Sequence, residues 1–245
     1  MRYIEKFWDN ASVLYREKQW ENSNIALFDY SLTKQFLLKY LKPKKTEKIL
    51  EIGCGPGKWT NIVSRKCKEI IAVDISKKMI NEARSYCKAG NIFFIHGDIM
   101  KIRITEKFDK IYAVRSLEYI KDKEGFIRKM RKLLKDKGKI FIITKTNHCL
   151  WDIKKNVEGF SQQKISHKKL YKLLEKHSFN NVIIRPVIIR LPIFVNGNRE
   201  LKIIGDKKER KVLAFFKKIT IKVHKNRLWI FLMPFSESYI ICAEK

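Results

Sequence analysis

Glu51-Ile-Gly53-Cys54-Gly55-Pro-Gly57 is the run whose residue types point most directly to chemistry. It follows a short apolar segment, Lys48–Ile52, and leads into a helical-looking one, Lys58–Lys66. Glycines at this density let the backbone turn sharply and let a ligand come close to it. In an open α/β sheet the ligand site lies at the carboxyl ends of the strands, where such a loop stands. Two phosphate-binding patterns can be excluded. A dinucleotide loop needs G-x-G-x-x-G, and counting from Gly53 and Gly55 the third position is Lys58. A P-loop needs Ser or Thr after Gly-Lys, and Gly57-Lys58 is followed by Trp59. What remains is E-x-G-x-G-x-G with an acidic residue ahead of the loop.

The elements that must hold this loop alternate regularly. Apolar, β-branched runs at Lys48–Ile52, Glu69–Asp74, Asn91–Ile95, Phe108–Val114 and Lys139–Thr144 read as strands. Helices are expected at Lys58–Lys66, from the Ser76 cap to about Tyr86, and at Asp122–Lys135, the last ended by Lys137-Gly138. Ser166–His177 reads as a further helix, and Asn181–Arg185 and Tyr239–Ala243 as a sixth and a seventh strand. Strands alternating with helices imply βαβ units, and strands apolar throughout are those of a sheet covered on both sides. The expectation is an α/β, Rossmann-like, doubly wound sheet of about seven mostly parallel strands with helices on both faces. Residues 1–43 would form an aromatic-rich helical cap, with a helix over Ile25–Tyr40. Residues 44–185 would form the core, and 186–245 an insertion followed by the last strand, all within one domain over 1–245.

With the loop and its elements in place, a family resemblance emerges. Glu51–Gly57 resembles motif I of class I S-adenosylmethionine-dependent methyltransferases, nearest to the small-molecule type 11 group. Ala72-Val-Asp74-Ile75-Ser76 resembles the acidic end of the family's second strand, and His96-Gly-Asp98-Ile99 the loop after its third. Phe108-Asp109-Lys-Ile-Tyr with Leu117-Glu118-Tyr119-Ile120 resembles the fourth strand and its exit, and Leu133–Ile142 the hairpin before the fifth. Asp136 and Lys139 depart from the family's proline and second glycine there, which affects a turn. The resemblance covers about residues 45–185.

The resemblance implies S-adenosylmethionine as cofactor and a set of residues to hold it: Glu51, Gly53, Cys54, Gly55, Gly57, Asp74, Ile75, Asp98, Ile99 and Arg115. Asp74 would take the ribose hydroxyls, since a carboxylate accepts such bonds strongly. Asp98 would accept from the adenine amino group between Ile75 and Ile99, and Glu51 would order the loop or meet the methionine amino group. The alternative for both aspartates is strand-end solvation or helix capping. Catalysis by an activated methyl donor is mainly positioning and desolvation. If a base is needed, Glu118 with Tyr119 after the fourth strand and His148 after the fifth stand on the active edge. His96 would lie by the adenine, and Arg115 and Ser116 would line the pocket. The exit Val114-Arg-Ser-Leu117 lacks the [DNS]-P-P-[YF] loop of the amino-methylating nucleic-acid enzymes, and no Pro-Cys of the cytosine-C5 enzymes occurs. A small-molecule or lipid-like acceptor is therefore the leading expectation.

Bulk composition adds partners and location. The 245 residues carry a formal net charge of +29. That suits RNA or an anionic membrane surface, or else a lysine-rich compositional bias, because the lysines are spread over the chain. The alternatives are thus an RNA methyltransferase, although no RRM or KH signature is visible, and a non-catalytic S-adenosylmethionine-binding interaction protein. Five cysteines without a C-x-x-C pair or zinc spacing argue against a disulfide framework and a metal site, and for a cytoplasmic protein. The first residues lack the apolar core of a signal peptide, and no apolar run reaches the ~18 residues of a membrane span. Peripheral attachment is still open through a basic amphipathic helix at Lys207–Val223 with Leu228–Met233; the same helix packed on its own sheet is the preferred reading.

Overall fold

The computed structural model describes residues 2–147, 149, 163–189, 206–223 and 229–245. His148 and most of the insertion between 190 and 228 lie outside the described residues. The chain opens with three helices, α1 (Arg2–Ala11), α2 (Tyr15–Trp20) and α3 (Asn24–Leu41). Then come β1 (Lys48–Ile52), α4 (Lys58–Ser64), β2 (Glu69–Asp74), α5 (Lys77–Tyr86), β3 (Ile92–His96) and β4 (Phe108–Val114). After a 3-10 turn at Leu117–Tyr119 follow α6 (Lys123–Leu133), β5 (Leu134–Lys145), α7 (His167–Lys176) and β6 (Asn180–Ile189). The chain closes with α8 (Asp206–Val223), α9 (Trp229–Leu232) and β7 (Ser236–Glu244).

The seven strands form one sheet in the order β3-β2-β1-β4-β5-β7-β6. All neighbours are parallel except that β7 runs antiparallel between β5 and β6. The order reverses at β1 and β4, and there the loops leaving the two strands part and leave a crevice.

Alternation along each strand divides the core between two faces. Leu50, Ile52, Ile71, Val73, Ile111, Ala113, Ile140 and Ile142 point to the side of α6 and α7. Ile49, Ile70, Tyr112, Val114, Phe141 and Ile143 point to the side of α3, where Leu32, Phe36 and Leu37 are fully or almost fully buried. β1, β2 and β4 are buried almost throughout, which is why they read as unbroken apolar runs, while the edge strands β3 and β6 are partly exposed. The crossover from β3 to β4 carries no helix; Met100, Ile102 and Ile104 of this loop pack directly on the core.

Local chemistry sets the ends. The hydroxyls of Ser23, Ser76 and Ser166 accept the N–H of Ala26, Met79 and Lys169, capping α3, α5 and α7. α6 ends earlier than its sequence suggests. Leu134 is fully buried and already pairs with Phe108, so β5 begins there and reaches Lys139 through Lys137 at φ 61°. β6 continues past Arg185, through Pro186. It is an edge strand, and the ladder shifts register between Pro186 and Ile188, where the missing N–H is tolerated.

Candidate functional site

A cavity of about 850 Å³ opens at the carboxyl ends of β1, β2 and β4. Its floor is the glycine loop. Gly53 N–H and Cys54 N–H both donate to Val73 O, at 2.8 and 3.1 Å, tying the exit of β1 to β2. Ser116 Oγ donates to Ile52 O at 2.8 Å from the β4 side. A methyl group on Gly53 would stand 2.4 Å from Ser116 Cβ, so this glycine is required by packing. Gly57 sits behind the loop against Cys87 and Ala83 and does not reach the cavity. Gly55 differs from both: its φ is 52°, and a Cβ there would meet nothing within 4 Å. It leaves a bare backbone edge facing open space on the wall.

Asp74, at the end of β2, turns back over this loop. Its Oδ2 accepts Gly55 N–H at 2.8 Å, and its Oδ1 accepts Ser76 N–H at 2.9 Å. The carboxylate is 8% exposed and lines the cavity. Burial raises its pKa above the ordinary value, against the N–H groups of Ser76 and Gly55. Farther along the wall are Ile75, Ile99 and Asp98, whose Oδ1 accepts Met100 N–H at 2.9 Å. The arrangement puts a nearly buried carboxylate, an open glycine and a second carboxylate between two isoleucines on one surface.

The other expected residues fall in different places. Glu51 is 1% exposed and lies beneath the loop, off the cavity wall, where its Oε2 accepts the Thr60 hydroxyl at 2.5 Å. Burial pushes its pKa up to about 8, opposed by Thr60 and Tyr112 and reinforced by Asp74. Cys54 is buried but touches the cavity. Arg115 lines the cavity with its backbone in the left-handed region, φ 58°. Glu118 is not brought to the wall: it is 1% exposed, and its Oε2 accepts the Thr144 hydroxyl at 2.8 Å in the layer behind Tyr119. His96 sits on the outside, its Nε2 3.1 Å from Ile75 O and 3.2 Å from Glu5.

The roof joins Tyr119, which the sequence places on the active edge, to Trp8 and Tyr15, which sequence reasoning did not assign to a site. Trp8 of α1 meets Tyr119 edge-on at 4.8 Å and Tyr15 of α2 at 5.6 Å, and all three line the cavity. Burial pushes the Tyr15 hydroxyl up to about 12, with Arg115 lowering it and Glu118 and Asp74 raising it. Polar contacts fasten the roof. Asp9 accepts the Ser76 hydroxyl at 2.5 Å and Lys78 N–H at 3.1 Å. Arg16 lies 4.6 Å over the Tyr86 ring. Lys58 pairs with Glu21 and lies 4.6 Å over Tyr30, whose ring stacks on Trp59. The only hint in the sequence was the density of aromatics before residue 42, a pattern that core packing produces equally well.

Comparison with known proteins gives this geometry a family context. Residues 49–138 match the family model described as a methyltransferase domain. The chain is 28% identical over 146 residues to a ubiquinone biosynthesis O-methyltransferase of Pelagibacter ubique, covering 58% of this chain and 61% of that protein. It is 29% identical over 108 residues to a malonyl-[acyl-carrier protein] O-methyltransferase of Calditerrivibrio nitroreducens, covering 44% and 42%. The chain thus aligns with less than two thirds of the length of either relative. Its fold is that of a SAM-dependent methyltransferase from Archaeoglobus fulgidus (TM-score 0.63, 19% identity, 95% of this chain and 99% of that one). It is also that of the N-methyltransferase NodS from Bradyrhizobium japonicum bound to S-adenosylhomocysteine (TM-score 0.59, 15% identity, 89% and 87%).

Proposed function

From the match of residues 49–138 to a methyltransferase domain, we propose that this chain is a class I methyltransferase that transfers a methyl group from S-adenosylmethionine to a small-molecule or lipid-like acceptor. The observation that carries the reading is the pairing of Asp74 with Gly55: a nearly buried carboxylate held over an open glycine on the wall of a cavity of about 850 Å³. That volume is near the upper end for ligand pockets and suits a cofactor together with an acceptor.

S-adenosylmethionine supplies a sulfonium methyl already activated for in-line displacement. The chain's own residues position and exclude water. Asp74 has lone pairs left for ribose hydroxyls once the two N–H bonds are counted. Asp98, with Ile75 and Ile99, offers an acceptor and apolar walls to an adenine. Gly53, Cys54 and Gly55 set the backbone beside the amino-acid portion. Glu51 and Gly57 act from behind, the first through Thr60 and the second through its contact with Cys87. Trp8, Tyr15 and Tyr119 keep the transfer point dry, and the Tyr15 hydroxyl stays protonated at neutral pH. For an acceptor that must lose a proton, His148 follows β5 in sequence and is the base to test.

The experiment is transfer of a labelled methyl group to cell extract, split into lipid, RNA, protein and small-molecule fractions. Label in the small-molecule or lipid fraction supports the reading. Label in RNA alone replaces it, and binding of S-adenosylhomocysteine with no transfer to any fraction favours a cofactor-binding scaffold.

A second reading concerns location. Lys211, Phe215, Lys218, Ile219 and Lys222 share the outward side of α8; Phe215 is 61% exposed, while Leu213, Phe216 and Ile221 pack inward. Apolar side chains flanked by lysines suit an anionic membrane surface. No helix among the described residues is long and apolar enough to cross a membrane. Cosedimentation with phosphatidylglycerol vesicles, absent with phosphatidylcholine, tests it.

A further inference from the structure

The family resemblance groups Arg115 with the cofactor residues, but none of the cofactor contacts argued above uses its side chain. Three observations single it out. Its backbone is left-handed, φ 58°, a conformation that is uncommon outside glycine and that concentrates at functional positions. Its side chain is nine-tenths buried yet lines the cavity, and Nε has no hydrogen-bond partner. Its terminal nitrogen lies 3.6 Å from Glu237, beyond hydrogen-bonding distance, and Lys145 faces the same carboxylate at 3.8 Å. A guanidinium brought out of water with its donors so poorly matched is costly unless a ligand completes the pairing.

The topology says which ligand. Asp74 ends β2 and Asp98 follows β3, on one side of β4. Glu237 stands at the head of β7, on the other side, beyond β5. Arg115 follows the tip of β4, and its guanidinium lies on the Glu237 side of the cavity. Tyr15 is within electrostatic reach of it, Ser116 follows it in the chain, and Tyr119 lines the same cavity, an aromatic and weakly polar wall.

We infer that Arg115 anchors the acceptor, and that the acceptor carries an oxyanion, a carboxylate or a phosphate, on an aromatic or apolar body. The fork of a guanidinium matches both oxyanions bidentately. This rests on the methyltransferase reading of the cavity, and the test separates the two. A competing source of the same chemistry is the cofactor's own methionine carboxylate.

The test is calorimetry on the full chain with wild type, Arg115→Lys and Arg115→Asn, asparagine being a residue that tolerates left-handed backbone. S-adenosylhomocysteine is titrated first, with 5′-methylthioadenosine, which lacks the amino-acid portion, as its control. Benzoate and phenyl phosphate are then titrated into the S-adenosylhomocysteine-loaded protein, with neutral benzamide as the control. The expected result is unchanged S-adenosylhomocysteine affinity in both variants, with binding of at least one anionic probe weakened about ten- to hundredfold in Arg115→Asn and less in Arg115→Lys. Benzamide should not distinguish the proteins. If Arg115→Asn instead weakens S-adenosylhomocysteine but not 5′-methylthioadenosine, the guanidinium holds the cofactor carboxylate and the inference is overturned. Anionic probes that bind no better than benzamide to wild type overturn it as well. Failure of S-adenosylhomocysteine to bind wild type is a different result, and it removes the methyltransferase reading itself.

Discussion

The Asp74 carboxylate accepts the Gly55 amide at 2.8 Å, so the end of β2 fixes the conformation of the loop that leaves β1. One residue thus orders the loop and presents an acceptor to the cavity. Asp74→Ala should keep the fold, because the sheet on either side is unaffected, while the Gly55 and Ser76 amides lose their partner. S-adenosylhomocysteine affinity should fall on the order of a hundredfold or more, as expected when several bonds to one charged group are lost. Calorimetry beside a near-ultraviolet spectrum checks this; unchanged affinity in a folded variant would contradict the assignment of Asp74.

The glycines should separate by role. Gly55→Val places a side chain in open space at φ 52°, with a left-handed backbone strain of about 1–2 kcal/mol, and should fold but bind S-adenosylhomocysteine poorly. Gly57→Val drives its Cβ to 2.6 Å from Cys87 Sγ and should lower the melting temperature far more. Thermal melts of the two variants, followed by a binding titration, distinguish them. Equal melting temperatures would show that the loop packs differently.

Glu51 gives a pH signature. Its folded pKa is raised to about 8, above that of an unfolded chain, so the folded state holds the proton more tightly. The associated stability is complete below about pH 4 and is lost as pH rises through about 8. Glu51→Gln mimics the protonated carboxyl and should flatten the fall in melting temperature between pH 5 and pH 8.5 that wild type shows. An identical pH profile for the two proteins counts against a buried, protonated Glu51.

Asp9 tests the roof. Asp9→Ala removes the acceptor that α1 offers to Ser76 and to the first turn of α5, worth roughly 0.5–2 kcal/mol for a contact of this kind. The sheet does not depend on it, so the melting temperature should change little. Trypsin should cut α1 and α2 sooner, and S-adenosylhomocysteine should leave faster in a stopped-flow chase. A dissociation rate equal to that of wild type would mean that the roof does not retain the ligand.

What could be read from the sequence follows from how far each contact reaches. Gly55, Asp74, Ile75, Asp98 and Ile99 stand at or just after the ends of β1, β2 and β3, and a strand end is set by its own neighbours, so motif spacing was enough to gather them on one wall. Glu51 and Glu118 share that proximity, but their side-chain directions depend on Thr60 and Thr144, and both turn inward. Trp8 and Tyr15 were unreadable as wall residues, because short helices rich in aromatics pack into cores just as readily. What commits them to the cavity is contact with Tyr119 and the Asp9–Ser76 bond across 67 residues. The extension of β6 through Pro186 depended on its place at the sheet edge, which only the strand order reveals.

The roof also makes the cavity depend on residues remote from it in the chain. Its fastenings use partners far along the sequence: Asp9 with Ser76, Arg16 with Tyr86, Trp8 with Tyr119. A change in the first turn of α5 or in the turn after β4 therefore reaches the cover of the cavity as directly as a change in α1 itself.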